Sequence, residues 1–569
     1  MISHGWKLGL CGLLLQGCAD RSPGGASTTA NPGDTGNSDG GSADTGVADS
    51  GDEAGAFSFV DGNDVDVLFV IDNSGSMAEE QALLAKNFAA FLDVLEGREA
   101  NYRIGITTTD AGNPRCPSTT PENGTLVLSS CLDRIAAGEF KYGADDFSFV
   151  CTDFCAKSDA DLDVRPTTTA YDDQPAPRRW IERTAGQSNI GGVASNVEAF
   201  QCYGPQGVAG CGFESHLESM YKALTKSSDP GSVANYGFLR ESAILSIVVV
   251  SDETDCSYQQ AQKDVFVGNK VYWNSPDDPQ PTSALCWRAG VACSGNSPYS
   301  ECHAENWGPN GVDGAADADA VLKPVSEYVA FVRSIEDVKK SIDVDRRVLV
   351  SLITGVPVGY DQRKAELVYE DAPPSDFPNF PNFQESFGIG PGCVLGPAND
   401  PYAFAVPPVR EREFAEAFAD PKAAERSLYS ICQDDYSAAL TSIAAGIGAQ
   451  IGPTCMPYCV RDSQPDSAET VEPNCTMIEQ RFDGNTDVPR CVEQNGMWTV
   501  PAGATVCFAM LTDKSAATQG VSDDMSMACA DGGHNLEFKV VRTVPAVPGS
   551  KLSASCALSD NRVRDCPML

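Results

Sequence analysis

The run Asp72-Asn73-Ser74-Gly75-Ser76 sets one carboxylate and two hydroxyls at alternate positions of a short turn. Oxygens so spaced can face one point. A hard cation such as Mg²⁺ asks for oxygens at about 2 Å, with its remaining positions left to water. The apolar run Val67-Leu68-Phe69-Val70-Ile71 comes directly before, so the turn sits at the carboxyl end of a buried strand. In an open parallel sheet, ligands bind beyond such strand ends. Asp252 follows a second apolar run, Ile244–Val250, after a single serine, and offers a second carboxylate at a matching strand end. An Asx turn capping the next helix would account for Asp72 or Ser74 alone. It does not account for the whole set together with Asp252.

The elements that must position these groups alternate between strand and helix. After the strand ending at Ile71, residues 78–97 carry Leu83, Leu84, Phe88, Phe91, Leu92 and Leu95 at helical spacing. Residues 102–107 read as a short strand and 214–225 as a helix with Leu217, Met220, Tyr221 and Leu224 on one face. The strand 244–250, a helix over 321–338, a strand over 348–353 and a helix over 436–451 complete the series. Such alternation predicts an α/β, doubly wound, mostly parallel sheet. Long stretches rich in Cys, Pro, Asp and Asn (110–185, 255–315 and 356–410) interrupt it, as insertions ordered by disulfides or by function. From about residue 453 to 569 the texture changes again. Eight cysteines from Cys455 to Cys566 and short apolar runs predict a small β-rich, disulfide-stapled C-terminal domain.

The chain has 569 residues, more than one ordinary core organises. Its formal charge of −39 argues against nucleic acid, whose phosphates need cations to displace their counterions. The same charge argues against adsorption to anionic lipid and suits divalent cations, or simply a solvated acidic surface. Of 22 cysteines, two (Cys11 and Cys18) fall in the first 18 residues and leave an even number beyond. That density reads as disulfides formed in an oxidising compartment. Zinc is the weaker reading. The close pairs Cys151/Cys155 and Cys455/Cys459 have three residues between them rather than two, and His216, His303 and His534 are scattered.

Lys7 ahead of the apolar stretch Leu8–Leu15 has the pattern of a secretory signal, too short to span a bilayer. Its ending, Leu15-Gln16-Gly17-Cys18, resembles the bacterial lipoprotein signal, which implies that residues 1–18 are an address and that Cys18 carries the lipid anchor. Gln16 departs from the small or apolar residue commoner there. Residues 19–56, almost wholly Ala, Asp, Gly, Ser, Thr and Asn, bury too little to offset their ordering entropy and read as a tether. These readings imply an extracytoplasmic protein held at an outer membrane or cell surface by lipid alone.

Apolar strand, Asp-x-Ser-x-Ser, helix, and a later apolar strand ending in Asp resembles the von Willebrand factor type A (VWA) domain with its metal-ion-dependent adhesion site. Residues 62–451 would be that domain. The resemblance implies that Asp72, Ser74 and Ser76 hold a divalent cation, Mg²⁺ first and Mn²⁺ or Ca²⁺ next, with Asp252 acting through water. The family's threonine, from the loop before the third helix, is missing: Gly207–Glu214 has none, and neither does any position from Asn189 to Ala223. Val208 would occupy that slot, and Glu214, at the predicted helix start, is the candidate replacement. An acid there is also favourable against the helix dipole alone. Two further groups have plain readings. Glu253 and Asp255 read as loop solvation rather than calcium ligands. Thr107-Thr108-Thr109-Asp110 reads as strand propensity followed by a turn.

The resulting expectation is a binding or adhesion protein whose cation is completed by a carboxylate or other oxygen from a protein or another acidic or oxygen-bearing ligand. The alternative is a structural or envelope-assembly protein with a degenerate site. An enzyme is not expected: no His-Glu-x-x-His, Gly-x-Ser-x-Gly or phosphate-binding loop occurs, and Ser74 and Ser76 lack an evident base.

Overall fold

The computed structural model describes residues 54–59, 63–169, 171–342, 346–372, 382–396, 403–464, 471–481, 484–514, 520–544, 546 and 550–566. The signal segment 1–18, the anchor Cys18 and all but the last three residues of the 19–56 tether lie outside them. Strand β1, Ala54–Phe59, begins inside the span read as tether. Then come β2 (Asp64–Ile71), β3 (Asn101–Thr108), β4 (Ile181–Thr184), β5 (Gln187–Ser188), β6 (Ile244–Val250), β7 (Val348–Thr354) and β8 (Leu428–Ser430).

Strands β2 to β8 form one seven-stranded sheet in the order β8-β7-β6-β2-β3-β4-β5. From β8 to β3 every pairing is parallel, while β4 and β5 add an antiparallel hairpin. The sheet is therefore mixed, and the fold is mixed α/β. The hairpin escapes sequence reading because β4 is Ile-Glu-Arg-Thr, a strand with a buried acid. Its Glu182 accepts a hydrogen bond from the Trp180 indole at 2.9 Å and pairs with the buried Arg103 at 3.4 Å. Those contacts replace the apolar alternation that normally marks a strand.

Helices cover both faces of the sheet. On one side, α1 (Ala78–Gly97), α2 (Asn196–Tyr203) and α6 (Ser437–Gln450) pack on Val65, Val67, Phe69 and Ile71. On the other, α3 (His216–Ser227), α4 (Val325–Ile342) and α5 (Val409–Glu416) pack on Leu68 and Val70. Strand alternation thus divides β2 between two cores, which explains its unbroken apolar run. Phe69 meets Phe88 and Phe91 of α1 edge-on, and this contact holds α1 close behind the Asp72 turn.

The register sets the edge where chemistry is possible. Ile71 stands opposite Val250 on one side and Thr108 on the other, and Val250 opposite Ile353. Asp72, Ser251, Asp252 and Thr109 therefore emerge at one level. At the opposite end of β2 the buried Arg240 pairs with Asp66 at 2.8 Å and Asp64 at 3.1 Å, and it donates to the Val65 carbonyl.

The C-terminal region is β-rich, as expected. It comprises β9 (Thr454–Cys455), β10 (Cys475–Arg481), β11 (Gly484–Val488), β12 (Val506–Leu511), β13 (Glu537–Arg542) and β14 (Lys551–Ala557). Two sheets, β1-β14-β10-β11 and β9-β13-β12, enclose a core that includes Met477, Phe508, Phe538 and Leu552. Strand β1 pairs with β14 from Ala54↔Ala557 to Phe59↔Leu552, so the segment just ahead of the α/β domain completes a sheet almost 500 residues later. All cysteines beyond Cys18 are paired, in ten disulfides. Cys151 joins Cys131 and Cys155 joins Cys202, which removes the zinc reading of that pair.

Removing one partner of a buried ion pair leaves an uncompensated charge, at a cost of about 3–5 kcal/mol. Arg240→Ala should lower stability on that scale in chemical denaturation of the α/β domain, whereas Arg562→Ala, at an exposed position near the C-terminus, should not.

Candidate functional site

The Asp72 turn is fixed from several directions. The Asp72 backbone N–H donates to the Val250 carbonyl at 3.0 Å, which carries the strand ladder one step past β2. Its carboxylate accepts from the Ser74 N–H at 2.8 Å, the Asx turn anticipated from sequence, and from the Ser251 hydroxyl at 2.6 Å. Gln81 of α1 donates to the Asp72 and Gly207 carbonyls, and the Gly210 N–H donates to the Asn73 carbonyl. A Cβ on Gly210 would stand 2.2 Å from the Asn73 side-chain oxygen, so only glycine lets the two loops meet. The disulfide Cys116–Cys211 fastens the Gly210 loop.

The predicted oxygen set gathers here. The hydroxyls of Ser74 and Ser76 lie 3.2 Å apart, Ser74 buried and Ser76 exposed. Asp252 is buried, accepts a hydrogen bond from Ser76 and retains an unpartnered buried oxygen, Oδ1. Burial and then the Asp72 charge push the Asp252 carboxyl up to about 7. Glu214 is fully buried, with Oε1 unpartnered and Oε2 accepting the Thr109 hydroxyl. Burial first, then Asp72, holds its carboxyl well above the usual range.

Several residues stand differently from the sequence reading. Glu214 does not open a helix; it lies two residues ahead of α3, so the helix-dipole account of it falls away. Val208 lies in the apolar core with β2 and α1. Thr109, read as strand propensity, ends against Glu214. Asp255 is not solvated: it is buried against Arg410 at 3.0 Å, while His216 lies 3.2 Å from Glu411. Glu80, in the first turn of α1, was missed because helix starts commonly carry acids. It is buried with Oε2 unpartnered, and burial, then Asp252, raises its carboxyl well above the usual range.

Hence Asp72, Glu80, Glu214 and Asp252 share a poorly solvated edge. Of the nearby buried cationic groups, Arg410 pairs with Asp255, and His216 lies against Glu411 while its charge also bears on Asp252 and Asp72. Orphaned buried carboxylate oxygens beside two hydroxyls are a donor set that fits a hard divalent cation. Asp72, Asp252 and Glu214 do not close to within 4.8 Å of one another as a trio; among the described residues only Asp513, Asp523 and Asp524 do so as an acidic group. The fit is therefore to a cation held by few protein oxygens and several waters. The site opens into a cleft of about 980 Å³ lined by Ser74, Ser76, Glu80 and Asp252 at one end and by aromatic side chains.

No protein-family model matches the sequence, and no curated protein matches it. Among solved structures, the chain is distantly similar to the pilus adhesin SpaC of Lactobacillus rhamnosus GG, at 7% identity and a TM-score of 0.25, over 88% of this chain and 40% of that one. The open conformation of that adhesin gives 8% identity and a TM-score of 0.23, over 88% and 40%. The pilus adhesin RrgA of Streptococcus pneumoniae gives 10% and 0.24, over 89% and 58%. The chain spans less than two thirds of the length of each adhesin, and scores of this size do not fix a shared fold.

A carboxyl that holds its proton up to about pH 7 when folded, but loses it near 4 when unfolded, makes the folded state bind more protons between those values. Stability then falls as pH rises through that window. Thermal unfolding in chelator should shift to lower temperature from about pH 5 to about pH 7.5, and Glu214→Gln should reduce the shift. Saturating Mg²⁺ should raise the melting temperature more at the higher pH than at the lower.

Proposed function

We propose that this is an exported, lipid-anchored binding protein with a VWA-type α/β domain that engages its partner through a divalent cation. Mg²⁺ is the first choice, Mn²⁺ or Ca²⁺ the alternatives. Ser74 and Ser76 would hold the ion by their hydroxyls, Asp72 and Asp252 would balance its charge directly or through water, and Glu214 is the candidate to compensate for the family's missing threonine. The cation supplies an electrophilic position that an oxygen of a protein partner can complete. The observation that carries this reading is the buried, unpartnered Asp252 Oδ1, on a carboxylate that accepts from Ser76 beside Ser74, with Glu214 Oε1 a second buried, unpartnered carboxylate oxygen. Water would solvate such groups if the edge served only as surface, and a cation replaces that lost solvation.

The protein's own groups have separable tasks in this reading. Ser251 and the Ser74 N–H orient the Asp72 carboxylate, so it presents a fixed charge rather than a mobile one. Thr109 holds Glu214 by one oxygen and leaves the other unpartnered. Burial holds the carboxyls of Glu214 and Glu80 well above the usual range, so a cation bound near them would favour their ionised forms. No catalytic residue is assigned, and the partner is bound rather than transformed. The anchor at Cys18 accounts for the membrane association, and none of the described helices is long and apolar enough to cross a membrane.

One observation favours a second reading, an assembly protein with a spent site. The threonine position is empty of hydroxyl, and Val208 lies in the core. Metal content separates the two. Calorimetric titration should give one Mg²⁺ or Mn²⁺ per chain, and Asp72→Ala should lower affinity at least tenfold with the circular dichroism spectrum unchanged. Wild-type protein that takes up no divalent ion would establish the spent site.

A further inference from the structure

The divalent-ion reading gives Glu80 no ligand role, yet Glu80 lines the cleft beyond Ser76 with one oxygen left over. It is 8% exposed, and its Oε2 has no hydrogen-bond partner. Asp252, 7% exposed on the same lining, leaves Oδ1 in the same state. The two stand near enough that the Asp252 charge, after burial, raises the Glu80 carboxyl. Glu79 and Asp434 are exposed and meet water, so they need no ligand. With Glu253 they bring the lining to five carboxyl groups, and Lys86 is the only cationic side chain among its described residues. One divalent ion at Ser74 and Ser76 would leave that lining acidic.

The walls are aromatic. Phe147 and Phe149, rings 6.3 Å apart, belong to a segment that Cys131–Cys151 closes and Cys155–Cys202 pins to α2. Phe387 and Phe404 come from the insertion that Cys393–Cys432 ties to the end of β8, where Phe404 packs on Phe387 at 6.0 Å. An inorganic cation would use the acids and leave these rings idle, and an acidic ligand would be repelled by the floor. A guanidinium uses both. It is weakly hydrated, stacks on aromatic faces and offers enough donors to serve two carboxylates at once. A cleft of about 980 Å³ takes a few side chains, and not the flat face of a folded domain. We infer that the cleft receives an arginine of a partner protein, carried in a short segment with bulky apolar residues on either side. The guanidinium lies against Glu80 and Asp252, and the apolar neighbours lie against Phe149 and Phe404. The inference goes beyond the divalent-ion reading and does not rest on it.

The test uses the full chain and four blocked tripeptides: acetyl-Leu-Arg-Phe-amide, acetyl-Leu-Gln-Phe-amide, acetyl-Gly-Arg-Gly-amide and acetyl-Leu-Asp-Phe-amide. Each is titrated calorimetrically in EDTA. Leu-Arg-Phe is expected to bind roughly tenfold or more tightly than Leu-Gln-Phe, the scale of one charge-assisted pair. It should also exceed Gly-Arg-Gly by roughly tenfold, the scale of burying one large apolar side chain. Glu80→Gln keeps the shape of the side chain and should remove most of the first difference. Phe149→Ser, at a side chain 40% exposed and so without folding risk, should weaken Leu-Arg-Phe and leave Gly-Arg-Gly unchanged. Equal affinity for Leu-Gln-Phe or for Gly-Arg-Gly, tightest binding of Leu-Asp-Phe, or no binding of either arginine peptide overturns the inference. Mg²⁺ titrated alone keeps the two readings apart. Ion uptake without an arginine preference overturns this inference only, and an arginine preference without ion uptake supports it and overturns the divalent-ion reading only.

Discussion

Burial of carboxylates away from water, with their mutual repulsion added, is the constraint on which the Asp72 edge depends. Strands β2 and β6 run parallel and in register, so Asp72 leaves the sheet level with Ser251, and Asp252 follows one residue later at the same edge. Glu214 and Glu80 are brought to the same edge from the approach to α3 and the start of α1. In a region of low effective dielectric these charges are costly, and the protein's response is visible in Asp252, Glu214 and Glu80, all raised above the ordinary carboxylate range. Elsewhere the fold answers buried acid with a built-in cation: Asp64 and Asp66 with Arg240, Glu182 with Arg103, Asp255 with Arg410. At this edge no ion pair among the described residues reaches Asp72, Asp252, Glu214 or Glu80. That contrast separates a site from structural ion pairing.

What could be seen in the sequence was what local pattern encodes. The apolar runs of β2 and β6 are buried on both faces, and their short length and β-branched content mark them as strands of a covered sheet. The helices over 78–97 and 437–450 were marked by their periodicity, and the Asp-x-Ser-x-Ser turn by its spacing. What escaped was decided by partners distant in sequence. Strand β4 carries Glu182 on a buried face because Arg103 and Trp180 wait there. Thr109 looks like a strand residue until Glu214, 105 positions later, takes its hydroxyl. Strand β1 looks like the end of a polar tether until Lys551–Ala557 pairs with it. The acid at 80 was hidden by its own plausibility, since a glutamate in a first turn needs no other explanation.

The cysteines explain how so much irregular chain is kept in service. The segments between β3 and β4, between β6 and α4 and between β7 and β8 carry few regular elements, and loops of that length are normally mobile. Here each is closed on itself or tied to the frame, as Cys116–Cys211, Cys256–Cys286 and Cys393–Cys432 show. Such crosslinks restrict the unfolded chain and so favour the folded arrangement of loops that bury little apolar surface of their own. The loops in turn wall the cleft. In the C-terminal unit the same device closes two small sheets, while β1 laces that unit to the segment leading into β2.

The central claim is that the uncompensated edge is a cation site. Crystals grown in Mn²⁺ allow the ion to be located by its anomalous scattering, independently of any binding partner. The account predicts a peak between the hydroxyls of Ser74 and Ser76 on the cleft side of Asp252. A peak confined to Asp513, Asp523 and Asp524, or none at all with Ser74, Ser76 and Asp252 well ordered, would contradict it.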